Sequence, residues 1–182
     1  TNLGMNSLLS NASLVRKVAF ARETLVISQV IFCFVQWSIE MSLLAAALII
    51  AGSPIIPWLP VAILLMVCLA VYASGFALAL SAAAVFFRDL RYLWSILIQV
   101  MFFATPIIYT PDRLEGKLPA AVDFIMTWNP MAVFILTFRH MLYGGGAPQW
   151  GEMLYVVVIS IAVFIAGWAI FTRLSRRVAE EL

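Results

Sequence analysis

Four long runs of apolar residues, separated by short polar segments, dominate the chain. They cover residues 25–50, 58–87, 93–109 and 150–171. A helix of about 20 apolar residues crosses roughly 30 Å of hydrocarbon, so each run predicts a membrane-spanning helix. The third run is the shortest and contains Pro106 near its end. The pattern therefore predicts an all-α integral membrane protein, a helical bundle with four full spans in a single transmembrane domain, residues 1–182.

A fifth apolar stretch, residues 120–143, is interrupted by polar residues. Asn129-Pro130 divides it, because proline has no amide proton and disfavours helix in the residue before it. The stretch also contains three ionisable side chains, Asp123, Arg139 and His140. We expect two short helices, the second beginning at Pro130 with Asn129 as its N-cap. They are predicted to form an extracytoplasmic re-entrant pair before the last span; the alternative is a pair lying flat on the membrane.

The composition agrees with a membrane protein. Hydrophobic residues make up 64% and charged residues 11%, whereas a soluble domain is about half apolar and about a quarter charged. The net charge of +2 and the lack of a basic patch with interleaved aromatics argue against a nucleic-acid partner. Cys33 and Cys68 are isolated within apolar runs, so we expect two small hydrophobic side chains in packed helices and neither a disulfide framework nor a metal site.

Positive charges are distributed unevenly among the connecting segments. Eight of the eleven Lys and Arg residues precede the first span, separate the second from the third, or follow the last. Positive residues near span ends mark the cytoplasmic side. The pattern therefore places both ends of the chain in the cytoplasm, including the tail at 173–182. It leaves Arg113, Lys117 and Arg139 for the other side of a multi-pass protein of the plasma (inner) membrane.

A short basic segment, residues 10–23, precedes the first span. On a helical projection its apolar residues share one side, while Arg16 and Lys17 lie on the other with Phe20 between them. This arrangement predicts a cytoplasmic interfacial helix. Its basic side either anchors the chain against anionic lipid or docks a soluble partner, and the residues alone leave both open.

Glu40 lies near the middle of the first span, with Gln36 one turn earlier on the same face. A carboxylate in hydrocarbon is costly unless it is paired, hydrated or protonated. The pair is therefore expected to line a substrate path or to bond another helix.

Arg88, Asp89 and Arg91 lie at the cytoplasmic end of the second span. They either set topology and form a local salt bridge, or build an inner gate that contacts a phosphate head group, for which arginine is well suited.

Four aromatic residues are predicted to gather near the outer boundary: Tyr109, Trp128, Tyr143 and Trp150. Such residues form ordinary interfacial belts, or they stack on sugar rings and close an exit. Asp123 and Arg139 could pair across the re-entrant turn. His140 is the only histidine and has no metal-ligand spacing to other residues, so we expect an interfacial side chain.

Four stretches resemble, in the same order, the permease subunits of type 2 ABC exporters, in the branch that exports polysaccharide, O-antigen and teichoic acid. They are NASLVRKVAFARE at 11–23, FFRDLRYLW at 86–94, FFATPIIYTPDRL at 102–114 and WNPMAVFILTFRHMLYG at 128–144. Ala21 stands where the family usually has proline. The family also has an N-terminal amphipathic helix and two further spans, so the resemblance implies that this chain is the C-terminal two-thirds of a six-span permease.

The resemblance implies a homodimer in membrane lipid that moves a lipid-linked glycan outward. ATP and Mg²⁺ would bind to a separate nucleotide-binding ATPase subunit, since this chain has no phosphate-binding loop and is expected to bind no cofactor itself. The expected ATPase contacts are Ser13, Val15, Arg16, Lys17, Phe20, Arg22 and Glu23. The expected substrate path or gate comprises Gln36, Glu40, Arg88, Asp89, Arg91, Tyr109, Trp128 and Arg139.

Three alternatives stay open. An integral-membrane enzyme acting on lipid-linked substrates would need a cluster of catalytic groups, and only Arg88, Asp89 and Arg91 come into question. An ion-coupled carrier would carry more intramembrane charge and often inverted repeats. A drug exporter of the same family remains open because a fold does not fix its cargo.

Overall fold

The computed structural model describes residues 1–5, 22–87, 89–107, 128–144 and 146–181. Apart from a helical turn within residues 2–5, its elements are α1 (Arg22–Ile50), a 3-10 turn (Ile56–Trp58), α2 (Leu59–Phe86), α3 (Leu90–Ala104), α4 (Pro130–Gly144) and α5 (Trp150–Glu181). No strand occurs within the described ranges. The prediction of an all-α integral membrane protein is confirmed.

Among the described residues, three helices are long and apolar enough to cross a membrane: Glu23–Ile50, Ile56–Phe86 and Trp150–Ser175. They match the first, second and fourth predicted spans. α3 differs, because its 15 residues extend only about 22 Å at 1.5 Å per residue, less than the roughly 30 Å of hydrocarbon. The count of four full spans therefore stays a prediction.

A tight turn folds α2 back along α1. Gly52 has a φ of +82°, a conformation that glycine adopts without a steric penalty. Its N–H donates to the carbonyl of Ile49, and the N–H of Ser53 donates to the carbonyl of Leu48, both at 3.0 Å. This pair of bonds is a Schellman motif, which satisfies the last carbonyls of α1 and makes α1 and α2 an antiparallel hairpin.

α2 and α5 run in the same direction and share the most extensive interface among the described helices. One buried cluster joins Leu65 to Val156 near the beginnings of the two helices. Another joins Ala82 to Phe171 near their ends and also includes Val26 of α1. The beginning of α1 and the ends of α2 and α5 therefore lie together at one end of the bundle.

The backbones of α2 and α5 touch where Gly75 faces Gly167. A Cβ added to Gly167 would lie 2.6 Å from the carbonyl carbon of Gly75 and 2.8 Å from its Cα. A Cβ added to Gly75 would lie 2.7 Å from the carbonyl carbon of Val163. Small residues permit such close approach in membranes, where van der Waals packing replaces the hydrophobic effect as the force between helices.

α4 packs against α2 and α5 and runs toward the turn between α1 and α2. Phe134, in its second turn, packs with Leu65 and Cys68 of α2. Leu142, near its end, packs with Leu48 and Ile55 at the turn. α4 thus begins inside the bundle and ends at the end opposite to the start of α1.

Candidate functional site at the Asn129–Pro130 turn

The Asn129–Pro130 turn begins α4 as predicted. Asn129 Oδ1 accepts a hydrogen bond from the N–H of Met131 at 3.0 Å, and the carbonyl of Asn129 accepts from Ala132 at 2.9 Å. The side chain therefore caps the helix, and Pro130 occupies the first helical position, where no amide proton is needed. The predicted cap and helix start are confirmed.

The same asparagine also reaches the end of α3. Its Nδ2 donates to Thr105 Oγ1 at 3.0 Å, and Thr105 Oγ1 donates to the carbonyl of Met101 at 2.7 Å. Met101 lies in the last turn of α3, where carbonyls have no partner within the helix. Both polar side chains are buried, Thr105 at 3% and Asn129 at 6% exposure, so neither depends on water to satisfy these bonds.

A second set of polar contacts attaches the turn to α5. Thr137 Oγ1, fully buried, lies 3.1 Å from Glu152 Oε2 in the first turn of α5. One turn further along α5, the hydroxyl of Tyr155 donates to the carbonyl of Trp128 at 3.0 Å, with the two rings edge to face at 6.4 Å. A carboxylate in the first turn also suits the positive end of the α5 dipole.

Arg139 takes part in this polar region. Its Nη2 donates to the carbonyl of Ile107 at 2.8 Å, two residues beyond the C-cap of α3. The predicted pairing with Asp123 lies outside the described residues and stays a prediction. The structure therefore gathers Arg139 and Trp128, two of the predicted path residues, around one turn.

The outer aromatic residues are placed in two regions. Tyr143 and Trp150 lie near the end of α4 and at the start of α5, both exposed. Trp128 lies at the other end of α4, about 22 Å away along a 15-residue separation. Tyr109 lies outside the described residues. Trp128 therefore belongs to the polar turn and not to the predicted outer group.

Gln36 and Glu40 lie on one face of α1, as predicted, and their side chains bond each other. Gln36 Nε2 donates to Glu40 Oε1 at 3.3 Å, and both side chains are exposed on the bundle surface. An apolar groove of ≈ 540 Å³ lies on the opposite side of α1, lined among others by Ser38, Ser42 and Leu142. Both serine hydroxyls bond carbonyls of their own helix, and the other described residues that line the groove are apolar.

The structure describes only some of the residues predicted to contact the ATPase subunit or to form the cytoplasmic gate. Ser13, Val15, Arg16, Lys17, Phe20, the side chain of Arg22, and Arg88 lie outside what the structure describes. Glu23 lies half-buried in the first turn of α1. Asp89 and Arg91 are exposed at the start of α3, close to the end of α2. Within the described residues, no three His, Cys, Asp or Glu side chains gather as metal ligands.

No family model matches the chain. Two O-antigen export system permease proteins RfbA from Klebsiella pneumoniae are 29% and 28% identical to it, over 97% of this chain and 66% of each relative. The chain is therefore similar to O-antigen export permeases over nearly its whole length. A third RfbA, from Myxococcus xanthus, is 23% identical over 98% of this chain and 68% of that relative. The resemblance to permeases of ABC exporters in the O-antigen branch is confirmed, and the chain spans about two thirds of the length of these relatives.

The similarity to permeases and the three described helices that are long and apolar enough to cross a membrane both indicate a multi-pass membrane protein. Sequence reasoning alone missed four residues of the polar turn: Thr105, Thr137, Glu152 and Tyr155. Two signals were available in the sequence, since Thr105 directly precedes a proline that ends a helix and Glu152 is a carboxylate at the start of an apolar run. No local signal pairs either residue with its partner.

Proposed function

We propose that the chain forms most of the membrane-spanning part of a permease that moves a lipid-linked polysaccharide outward across the plasma membrane. The observation that carries the proposal is its similarity, over nearly its whole length, to O-antigen export permeases. Energy would come from ATP hydrolysed, with Mg²⁺, on a separate nucleotide-binding subunit. The permease would act as a homodimer.

The positions of the helix ends support an orientation in which the start of α1 faces the cytoplasm. α1 begins at Arg22, Arg91 is exposed at the start of α3, and Arg173 is exposed near the end of α5. All three positions lie at one end of the bundle, because Val26, Ala82 and Phe171 belong to one cluster. By the positive-inside rule this end faces the cytoplasm. The basic segment 10–23 precedes α1 there, where a soluble ATPase subunit would meet it.

The exposed polar pair on α1 supports a role in transport. Gln36 and Glu40 lie on the surface of a helix whose other exposed residues are largely apolar, such as Ile39 and Leu43. Such a pair is costly against lipid acyl chains. We assign it to a hydrated face that lines the route of the cargo, together with Asp89 and Arg91 at the cytoplasmic end.

The test is purification of the full-length permease in mild detergent from cells that express the neighbouring open reading frames. We expect an ATPase subunit to copurify, and the charge reversal Arg16→Glu with Lys17→Glu to release it. The matched control is Arg113→Glu with Lys117→Glu, which makes the same change of charge on the predicted opposite side and should leave the complex intact. If no ATPase subunit associates with the wild-type chain, or if both double variants release it equally, the proposal is wrong.

A further inference from the structure

The direction of the helices fixes the number of crossings between α2 and α5. Both helices run from the α1–α2 turn toward the basic end of the bundle, as the clusters at Leu65–Val156 and Ala82–Phe171 show. The chain must therefore return across the bundle an odd number of times between Phe86 and Trp150. No described helix in this interval is long enough to make that crossing alone, since α3 and α4 each have 15 residues.

α3 and α4 lie in succession along this return path. α3 begins at the basic end, directly after α2, and its Trp94 stacks on Phe76 at 5.7 Å between ring centroids. α4 begins near the middle of α2, where Phe134 lies 6.0 Å from Tyr72 between ring centroids. From there α4 continues to the opposite end. Each helix covers about 22 Å, so the two together exceed the roughly 30 Å needed to cross.

The two helices meet end to end at Thr105 and Asn129. The last carbonyls of a helix and its first N–H groups have no partner within the helix itself, so the end of α3 and the start of α4 both need partners from outside. Thr105 satisfies the carbonyl of Met101, Asn129 satisfies the N–H of Met131, and the two side chains bond each other at 3.0 Å. The negative end of one helix dipole thus meets the positive end of the other, which is favourable. A discontinuous helix is tolerated at membrane depth where protein buries its ends.

We propose that α3 and α4 are two halves of one composite membrane crossing, and that the Thr105–Asn129 hydrogen bond is the joint that sets the angle between them. The bond between Arg139, in the third turn of α4, and the carbonyl of Ile107 reinforces the joint. The contact of Thr137 with Glu152 holds the outer half against α5. Under the proposed function, α4 is the outer half of this crossing and lies where the exported cargo would leave. The inference rests on the proposed function in this point alone.

The joint is tested by pulsed electron paramagnetic resonance on the full-length permease in lipid nanodiscs. Spin labels replace Leu93 of α3 and Tyr143 of α4, both exposed, in a chain whose Cys33 and Cys68 are changed to serine. Labelled chains are diluted with unlabelled ones so that distances within one chain dominate. Thr105→Val removes the acceptor hydroxyl, while Asn129→Ser keeps a helix-capping oxygen but is too short to reach Thr105. Thr105→Ser is the matched control.

We expect a single main distance for the wild type and for Thr105→Ser. Thr105→Val and Asn129→Ser should each raise the population outside that distance about threefold, the average effect of losing an interhelical hydrogen bond in a membrane. The double variant should do no more than the stronger of the two single variants, because each of them already lacks the Thr105–Asn129 bond. If one variant does not fold, the other is compared with Thr105→Ser.

The proposed joint would be wrong if the distribution of spin-label distances were unchanged in Thr105→Val and Asn129→Ser. It would also be wrong if the two variants' effects on that distribution added in the double variant. Retention of the ATPase subunit is measured on the same samples. Altered distances in a chain that binds no ATPase subunit would leave the joint standing and remove the proposed function.

Discussion

Replacing Gly167 by alanine should force α2 and α5 apart. The new Cβ would lie 2.6 Å from the carbonyl carbon and 2.8 Å from the Cα of Gly75, whereas carbon atoms pack best at about 3.5–4.0 Å. The obstructing atoms belong to a backbone, so no side chain can rotate away. Gly167 is buried in the middle of α5, and the whole interface must therefore move by about 1 Å.

The expected cost is about 1–3 kcal/mol, the range for added methylenes in a well-packed interior. Alanine favours a helix over glycine by about 1 kcal/mol, which offsets part of that cost. Gly151→Ala separates the two effects, because Gly151 lies in the same helix and a Cβ there meets nothing within 4 Å. We expect Gly167→Ala to be less stable than Gly151→Ala by about 1–3 kcal/mol.

The assay is reversible unfolding of the full-length permease in mixed micelles with increasing sodium dodecyl sulfate, followed by circular dichroism. Gly75→Ala should be destabilising as well, because its Cβ would lie 2.7 Å from the carbonyl carbon of Val163. The two losses should not add in the double variant, since one separation of the helices relieves both clashes. Equal stability of Gly167→Ala and Gly151→Ala would refute the close crossing.

Two further predictions concern the polar residues. Thr137→Val removes the contact with Glu152 (3.1 Å) and should lower the free energy of unfolding by about 0.6–1.7 kcal/mol in the same assay. Thr137→Ser keeps the hydroxyl and should preserve the free energy of unfolding. Equal losses in the two variants would point to packing of the methyl group. Glu40→Cys should react with a membrane-impermeant thiol reagent in a chain without native cysteines if this face of α1 is hydrated, while Ile39→Cys, also on an exposed position, should not. Equal reactivity at the two positions would contradict a hydrated route confined to Gln36 and Glu40.

The sequence predicted most of the secondary structure because the relevant signals are local. A long apolar run indicates a helix that crosses a membrane, and Asn129-Pro130 indicates where α4 begins. The pairing of Gln36 with Glu40 also follows from spacing along one helix. Charge at the ends of the runs was enough to predict that Arg22, Arg91 and Arg173 share one side, and the contacts among Val26, Ala82 and Phe171 agree with it.

Tertiary structure alone decided which helices meet and where. Thr105 and Asn129 are 24 residues apart, and Gly75 meets Gly167 across two separate helices. Neither contact can be predicted from hydrophobic periodicity. Lipid chains and the protein interior are equally apolar, so the buried face of a membrane helix need not be more hydrophobic than its exposed face. Partner choice between such helices depends on close fit of backbones and on satisfying polar helix ends. These are properties of the assembled bundle, so the end-to-end meeting of α3 and α4 became visible only in the folded chain.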